Sequence, residues 1–256
     1  MALPNKRVNL TDTVTFEKED NLSNILLRAK WKEKSENWDI DISVICLRKD
    51  GSIEYVVYWN GQEHPSGAII HGGDNTTGRA ESGSFNSGER NPEDWDKERI
   101  SIDLDKLIQR TDVYHLVLAV NVFAGRSNRQ YLDQVRDCKV LVDTGNGKPL
   151  LECSFDHSKF KEKTGFYIMD IYRNESGGWS FDPIGEAVLD YRVEKDMARN
   201  ASAYYQKHGT FKGIASEYDI NISSFDSSYN STPSNSGSSS SGDSRRKRGL
   251  FGRLFG

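Results

Sequence analysis

The chain is poor in cysteine. Its three, Cys46, Cys138 and Cys153, make no disulfide framework, which points to a reducing, cytoplasmic setting. No apolar run is long enough to span a bilayer, and no secretory leader is expected. Histidine is also scarce, and no His or Cys cluster has zinc spacing. There is no Gly-x-Ser-x-Gly elbow, no phosphate-cradling glycine loop and no Ser-His-Asp ordering. EF-hand spacing is missing as well. Nor is there an excess of positive charge, the formal net being −4. Residues 245–256 hold five basic residues and no acid, so the rest of the chain carries 29 basic against 38 acidic residues, a net of −9. So acidic a body argues against nucleic-acid binding and suits a bound cation.

What the chain does have is a stretch of strict alternation over residues 39–47. Ile40, Ile42, Val44 and Cys46 share one face, while Asp39, Asp41 and Ser43, followed by Ile45 and Leu47, share the other. That pattern predicts a half-buried β-strand with Cys46 as a small core residue. It sets two carboxylates on one side, about 6–7 Å apart along the strand. Like charges so close raise each other's proton affinity unless a cation sits between them. Oxygen donors recur in two further clusters. Asp74, Asn75 and Thr77 lie among Gly72, Gly73 and Gly78, and Glu93, Asp94, Asp96 and Glu98 precede the next alternating stretch. Calcium takes about 6–8 oxygen ligands, and glycines let loop carbonyls turn inward. These clusters therefore predict a calcium site, with His71 as a structural neighbour. The plainer alternative is a solvated strand face followed by an ordinary turn.

The remaining pattern is mostly β. Alternation marks residues 7–16, 22–32 and 100–104, with Asp103 or Asp105 placed to cap a short helix through Gln109. Ile53 to Trp59 pairs back on the acidic strand around Asp50-Gly51. Val113 to Phe123 is the most hydrophobic strand. Cys138–Val142 and Leu150–Phe155 form one hairpin, and Phe166–Tyr172 with Trp179–Phe181 another. Residues 60–97 lose periodicity, and so long a loop is expected to be functional or disordered: 72–78 reads as an ordered turn system and Glu81 to Arg90 as a flexible insertion. Nine or so short strands without intervening long helices predict a mainly β fold, a β-sandwich of two antiparallel sheets. From Leu189 to His208 the period becomes helical, with Val193, Met197, Ala201 and Tyr204 or Tyr205 on one face, predicting a C-terminal helix. The organisation expected is a domain over 1–215, a Ser/Asn/Gly-rich linker over 216–244, and a tail over 245–256.

Trp38-Asp39-Ile40-Asp41-Ile42-Ser43, then Asp50-Gly51, Gly73-Asp74-Asn75-Thr76-Thr77-Gly78 and Ile100-Ser101-Ile102-Asp103-Leu104 resemble the TerD-type tellurium-resistance family of bacterial stress-response proteins. Leu116–Val120, Ile171-Tyr172-Arg173, Trp179-Ser180-Phe181 and Gly185 extend the likeness to about residues 5–210. The resemblance implies a sandwich that binds calcium between loops and acts in tellurite and other chemical stress. By that analogy Asp39, Asp41, Asp74 and Asn75 carry over as ligands, with loop carbonyls near Gly72 and Gly78. The stretch 79–92 departs from the family, whose members pass quickly into the next strand. Aligning back from Ile100 makes Asp94, Asp96 and Glu98 the candidate acidic run.

The tail pairs Arg245, Arg246, Lys247, Arg248 and Arg253 with Leu250, Phe251, Leu254 and Phe255. Basic residues beside large apolar ones suit either an anionic membrane surface or a partner's groove. The function expected is a calcium-binding, non-enzymatic stress-response module. Its partners would be other proteins of the same system and the inner face of the membrane. The alternative is a metal-dependent hydrolase built on the carboxylates.

Overall fold

The computed structural model describes residues 10–31, 38–76, 96–135, 137–144, 149–155, 158–189 and 192–218. Gly78, Asp94, the stretch 79–92, the linker beyond Tyr218 and the tail 245–256 lie outside the described residues.

Eleven strands appear among them: β1 Val14–Phe16, β2 Asn24–Lys30, β3 Ile40–Leu47, β4 Ile53–Val57, β5 Ile69–His71, β6 Glu98–Asp103, β7 His115–Val122, β8 Lys139–Asp143, β9 Pro149–Ser154, β10 Gly165–Arg173 and β11 Trp179–Val188. Four helices join them, α1 Leu104–Arg110, α2 Gly125–Asn128, α3 Ala198–His208 and α4 Ile214–Tyr218. One sheet runs β1-β11-β10-β7-β3-β4 and the other β5-β6-β2-β8-β9. Every pairing is antiparallel. The fold is thus the expected two-sheet β-sandwich with a C-terminal helix.

Alternation explains the core. Ile40, Ile42, Val44 and Cys46 of β3 join Leu116, Leu118, Val120 and Val122 of β7 with Ile25, Leu27 and Ala29 of β2 in one buried cluster. Each Ile, Leu or Val among them contributes about 1.5–3 kcal/mol when removed from water. The opposite face of β3 and β7 is covered too. Ile45, Leu47, Val117, Ala119 and Tyr167 pack against Met197, Ala198, Ala201 and Tyr204. That second layer explains why all eight residues of β3 are buried, rather than every other one. The helical segment opens as a π-turn, Val193–Met197, and the Tyr167 hydroxyl donates to the Met197 carbonyl at 2.9 Å. The Asp50-Gly51 turn is held under α3. Gly51 has φ +81°, the Ser202 hydroxyl donates to its carbonyl at 2.7 Å, and a Cβ there would sit 2.7 Å from the Tyr205 ring.

Three local features differ from the expected pattern. The stretch 60–97 contains β5, three residues long and so too short to show a period. The last strand runs on to Val188; Pro183 and Gly185 break its apolar pattern, and a register shift in β10 accommodates the irregularity. The helix cap resolves to Asp103, whose carboxylate accepts from the Lys106 N–H at 2.8 Å.

Candidate metal centre

The acidic strand delivers its carboxylates to one end of the six-stranded sheet. Asp41 sits on the outer face of β3 opposite Asn121 of β7. The Asn121 amide donates to the Asp41 carboxylate at 3.1 Å. Asp39 lies just before β3 and is tied to β7 through its carbonyl, which accepts from the Phe123 N–H at 2.9 Å. Asp74 arrives from the other sheet, on the loop that follows β5. Gly73 turns that loop with φ +126°, a conformation open to glycine at little cost. Gly72 completes the ladder beforehand, donating its N–H to the Arg99 carbonyl at 2.7 Å.

The result is convergence across 35 positions of sequence. Carboxylate oxygens of Asp39, Asp41 and Asp74 all lie within 4.8 Å of one another. Two ligands on opposite sides of a calcium ion stand about 5 Å apart, twice the ion's 2.3–2.6 Å bond. The spacing therefore matches a shared divalent ion.

Glu98 stands behind the three. It is fully buried, and its carboxylate accepts from the Ile42 N–H at 2.8 Å and from the Asn75 N–H at 3.4 Å. The pairing of β3 with β4 begins only at Val44, so Ile42 is free to donate to Glu98. One side chain thus clamps β3 and the Asp74 loop together. His71 is buried beside it, with Nε2 3.5 Å from the Glu98 carboxylate and Nδ1 accepting from the Gly73 N–H at 3.2 Å. The imidazole shapes the loop, as its expected structural part requires.

Charge balance at this end is poor. Burial first, then the Asp74 charge, pushes the Asp39 carboxyl up to about 7. Burial and then Glu98, Asp39 and Asp74 push Asp41 well above the carboxylate range, with the Asn121 amide pulling the other way. Burial raises Glu98 and Asp74 as well. Burial holds His71 down to about 4, so it supplies no compensating charge near neutral pH. Among the described residues, Oδ1 of Asp39 is buried without a hydrogen-bond partner. An all-oxygen set with an orphaned carboxylate oxygen fits a hard cation such as calcium.

The other expected ligands divide. Asn75 is buried beside Glu98. Asp96 has a different task. Its carboxylate is taken by Arg28 at 3.2 Å and Lys30 at 3.7 Å, and Arg28 also reaches Asp143 at 2.6 Å. Asp96 thus belongs to an ion-pair network on β2. Asn121 was not among the expected site residues. Its signal is one amide in a strand whose other polar residue, His115, stands at the opposite end.

The TerD domain family model matches residues 6–193. The chain belongs to the TerD family. Among TerD relatives, chemical-damaging agent resistance protein B of Clostridium acetobutylicum is 31% identical over 130 residues, covering 50% of this chain and 81% of that protein. Tellurium resistance protein TerZ of Serratia marcescens is 26% identical over 160 residues, 62% of this chain and 72% of that one. A solved homologue of telluride resistance protein (TerD) from Streptomyces coelicolor A3(2) superposes with a TM-score of 0.53 at 19% identity. It covers 69% of this chain and 97% of that structure, which is a likeness of TerD fold.

Proposed function

We propose that this TerD-family protein binds calcium between Asp39, Asp41 and Asp74, and that the ion locks the two sheets together at one end. The observation that carries the reading is the meeting of three carboxylates from separate chain segments within 4.8 Å. Glu98 positions the ligands by holding the Ile42 and Asn75 N–H groups, and Asn121 orients Asp41. Calcium neutralises charge that the fold otherwise leaves opposed.

The protein acts as a non-enzymatic binding module in a tellurite or chemical stress response, in the cytoplasm. The printed names of its relatives support that reading. So does the histidine at the site, which is buried under the loop with Nδ1 accepting from the Gly73 N–H. The basic, aromatic tail brings the module to an anionic membrane surface, where each Lys or Arg adds about 1 kcal/mol; a partner's groove is the competing destination. Among the described residues no helix is long and apolar enough to cross a membrane.

Calorimetric titration of the full chain with calcium tests the metal reading. The expected result is saturable binding that Asp39→Asn weakens at least tenfold. Absence of heat at millimolar calcium, or binding untouched by Asp39→Asn, rejects it.

A further inference from the structure

The outer face of β3 and β7 carries a second polar site at its opposite end. Asp41 faces Asn121 at one end of this strand pair, and Leu47 faces His115 at the other. Between the two ends lie Ser43 and the apolar Ile45, Val117 and Ala119, which pack against the C-terminal helical segment. His115 is buried, and its Nδ1 stands 2.7 Å from the carboxylate of Asp170 on β10. Burial raises the Asp170 carboxyl and the His115 hydrogen bond pulls it back down; with Asp170 ionised, Nδ1 donates its proton to the carboxylate and the Nε2 lone pair points away. Among the described residues, neither that Nε2 nor Oδ1 of Asp170 has a hydrogen-bond partner.

Both orphaned atoms belong to residues lining a cavity of about 230 Å³. Aromatic rings make its walls. Ring centroids of Tyr114, Tyr205, Tyr172 and Phe211 lie 4.9, 4.4, 5.9 and 5.9 Å from the imidazole. Tyr205 and Phe211 stack on each other at 5.0 Å. The C-terminal segment builds this wall: Gly209 ends α3 with φ +65° and turns the chain so that Phe211 returns over Tyr205. Asp182 of β11 supplies a second carboxylate.

We propose that this cavity is a binding site for a small organic cation carrying an N–H group, such as an alkylammonium. The described lining holds two carboxylates and four aromatic rings but no Lys or Arg. Aromatic faces and carboxylates together favour a positive ligand. His115 Nε2 accepts the ligand's N–H, Asp170 holds the imidazole in the accepting tautomer, and the tyrosine faces surround the alkyl part. One of these rings already has a cation beside it, the Lys49 ammonium standing 5.5 Å from the Tyr114 ring centroid. Lys212 pairs with Asp182 at 3.5 Å, but its side chain is 62% exposed. A pair so open to solvent gives way readily to a competing cation. The volume falls below the roughly 300 Å³ at which drug-sized pockets begin, so the ligand is small.

The test uses the full chain and needs no assumption about the metal. His115 imidazole shifts are followed by NMR while n-butylammonium chloride or sodium butyrate is added, with calcium or with chelator. The expected result is a saturable one-to-one shift with n-butylammonium, little with butyrate, and affinity within twofold in the two metal conditions. Tyr205→Leu and Asp182→Asn should each weaken it at least tenfold. Asp182 is partly exposed, so its variant keeps the reading testable if Tyr205→Leu unfolds. A cavity holding only water would give no saturable shift, and that result overturns the proposal. So does an equal response to butyrate, or undiminished binding in a folded Asp182→Asn variant.

Discussion

Replacing Asp39 by Asn should change the protein's stability in opposite directions with and without calcium. In chelator, the folded protein forces Asp39 against Asp41 and Asp74, with oxygens within 4.8 Å. Two unit charges at that distance repel by about 3.5 kcal/mol at an effective dielectric of 20, and by about 1 kcal/mol in a water-like medium. The Asp39 carboxyl is raised to about 7, so near neutral pH it already carries a proton about half the time, which roughly halves the repulsion. Asp41 is pushed well above the carboxylate range, so Asp74 is the charged neighbour; Asn removes the rest of that repulsion, and the chelated variant should be about 0.5–2 kcal/mol more stable than the parent. For a domain of this size that is a rise of about 1–8 °C in Tm. Calcium should invert the order. At a hundred times Kd a bound ion stabilises the parent by about 2.7 kcal/mol, and the variant, lacking a ligand, should gain much less. Differential scanning calorimetry of both proteins in chelator and in millimolar calcium reads all four values. A variant that is less stable than the parent in chelator, yet gains as much from calcium, would refute the reasoning; Asp39 would then be an ordinary structural carboxylate.

Further outcomes follow from the same geometry. Asp39 is raised from 3.8 to about 7 in the fold, so its contribution is complete below about pH 3.8 and lost as pH rises through 7. Neutral His71, lowered from 6.5 to about 4, works the other way, its contribution being lost as pH falls from 6.5 through 4. The difference in Tm between Asp39→Asn and the parent in chelator should therefore grow in the variant's favour from pH 5 to pH 8, and a flat difference would contradict the assignment. Met197→Ala, at the buried contact between the helical segment and the sheet, should cost about 2–5 kcal/mol in urea unfolding, and a loss under 1 kcal/mol would mean that the helix is not tightly packed. Flotation of the full chain with anionic liposomes should exceed that of a 1–244 truncation, and equal flotation would remove the tail from the account.

Much of this was legible in the chain because the signal was local. Alternation in β3 set Asp39 and Asp41 on the face away from the core, and the glycines around Asp74 marked a turn. Glu98 and Asp96 show where local reading ends. Both are acids two positions apart near the start of β6, yet Glu98 reaches the Ile42 N–H on the other sheet while Asp96 turns to Arg28 and Lys30. Only the packing of the two sheets decides between those directions. Pro183 and Gly185 interrupt the alternation of β11 after Phe181, although the strand continues through them to Val188. The pairing of His115 with Asp170 spans 55 positions, and nothing in the spacing of either residue announces the other.

The most direct measurement is a crystal structure of the protein grown in calcium. The account predicts one strong peak within about 2.3–2.6 Å of carboxylate oxygens from Asp39, Asp41 and Asp74, with Glu98 still holding the Ile42 N–H. A structure at saturating calcium with only water between those side chains, or with the ion bound elsewhere, would contradict it.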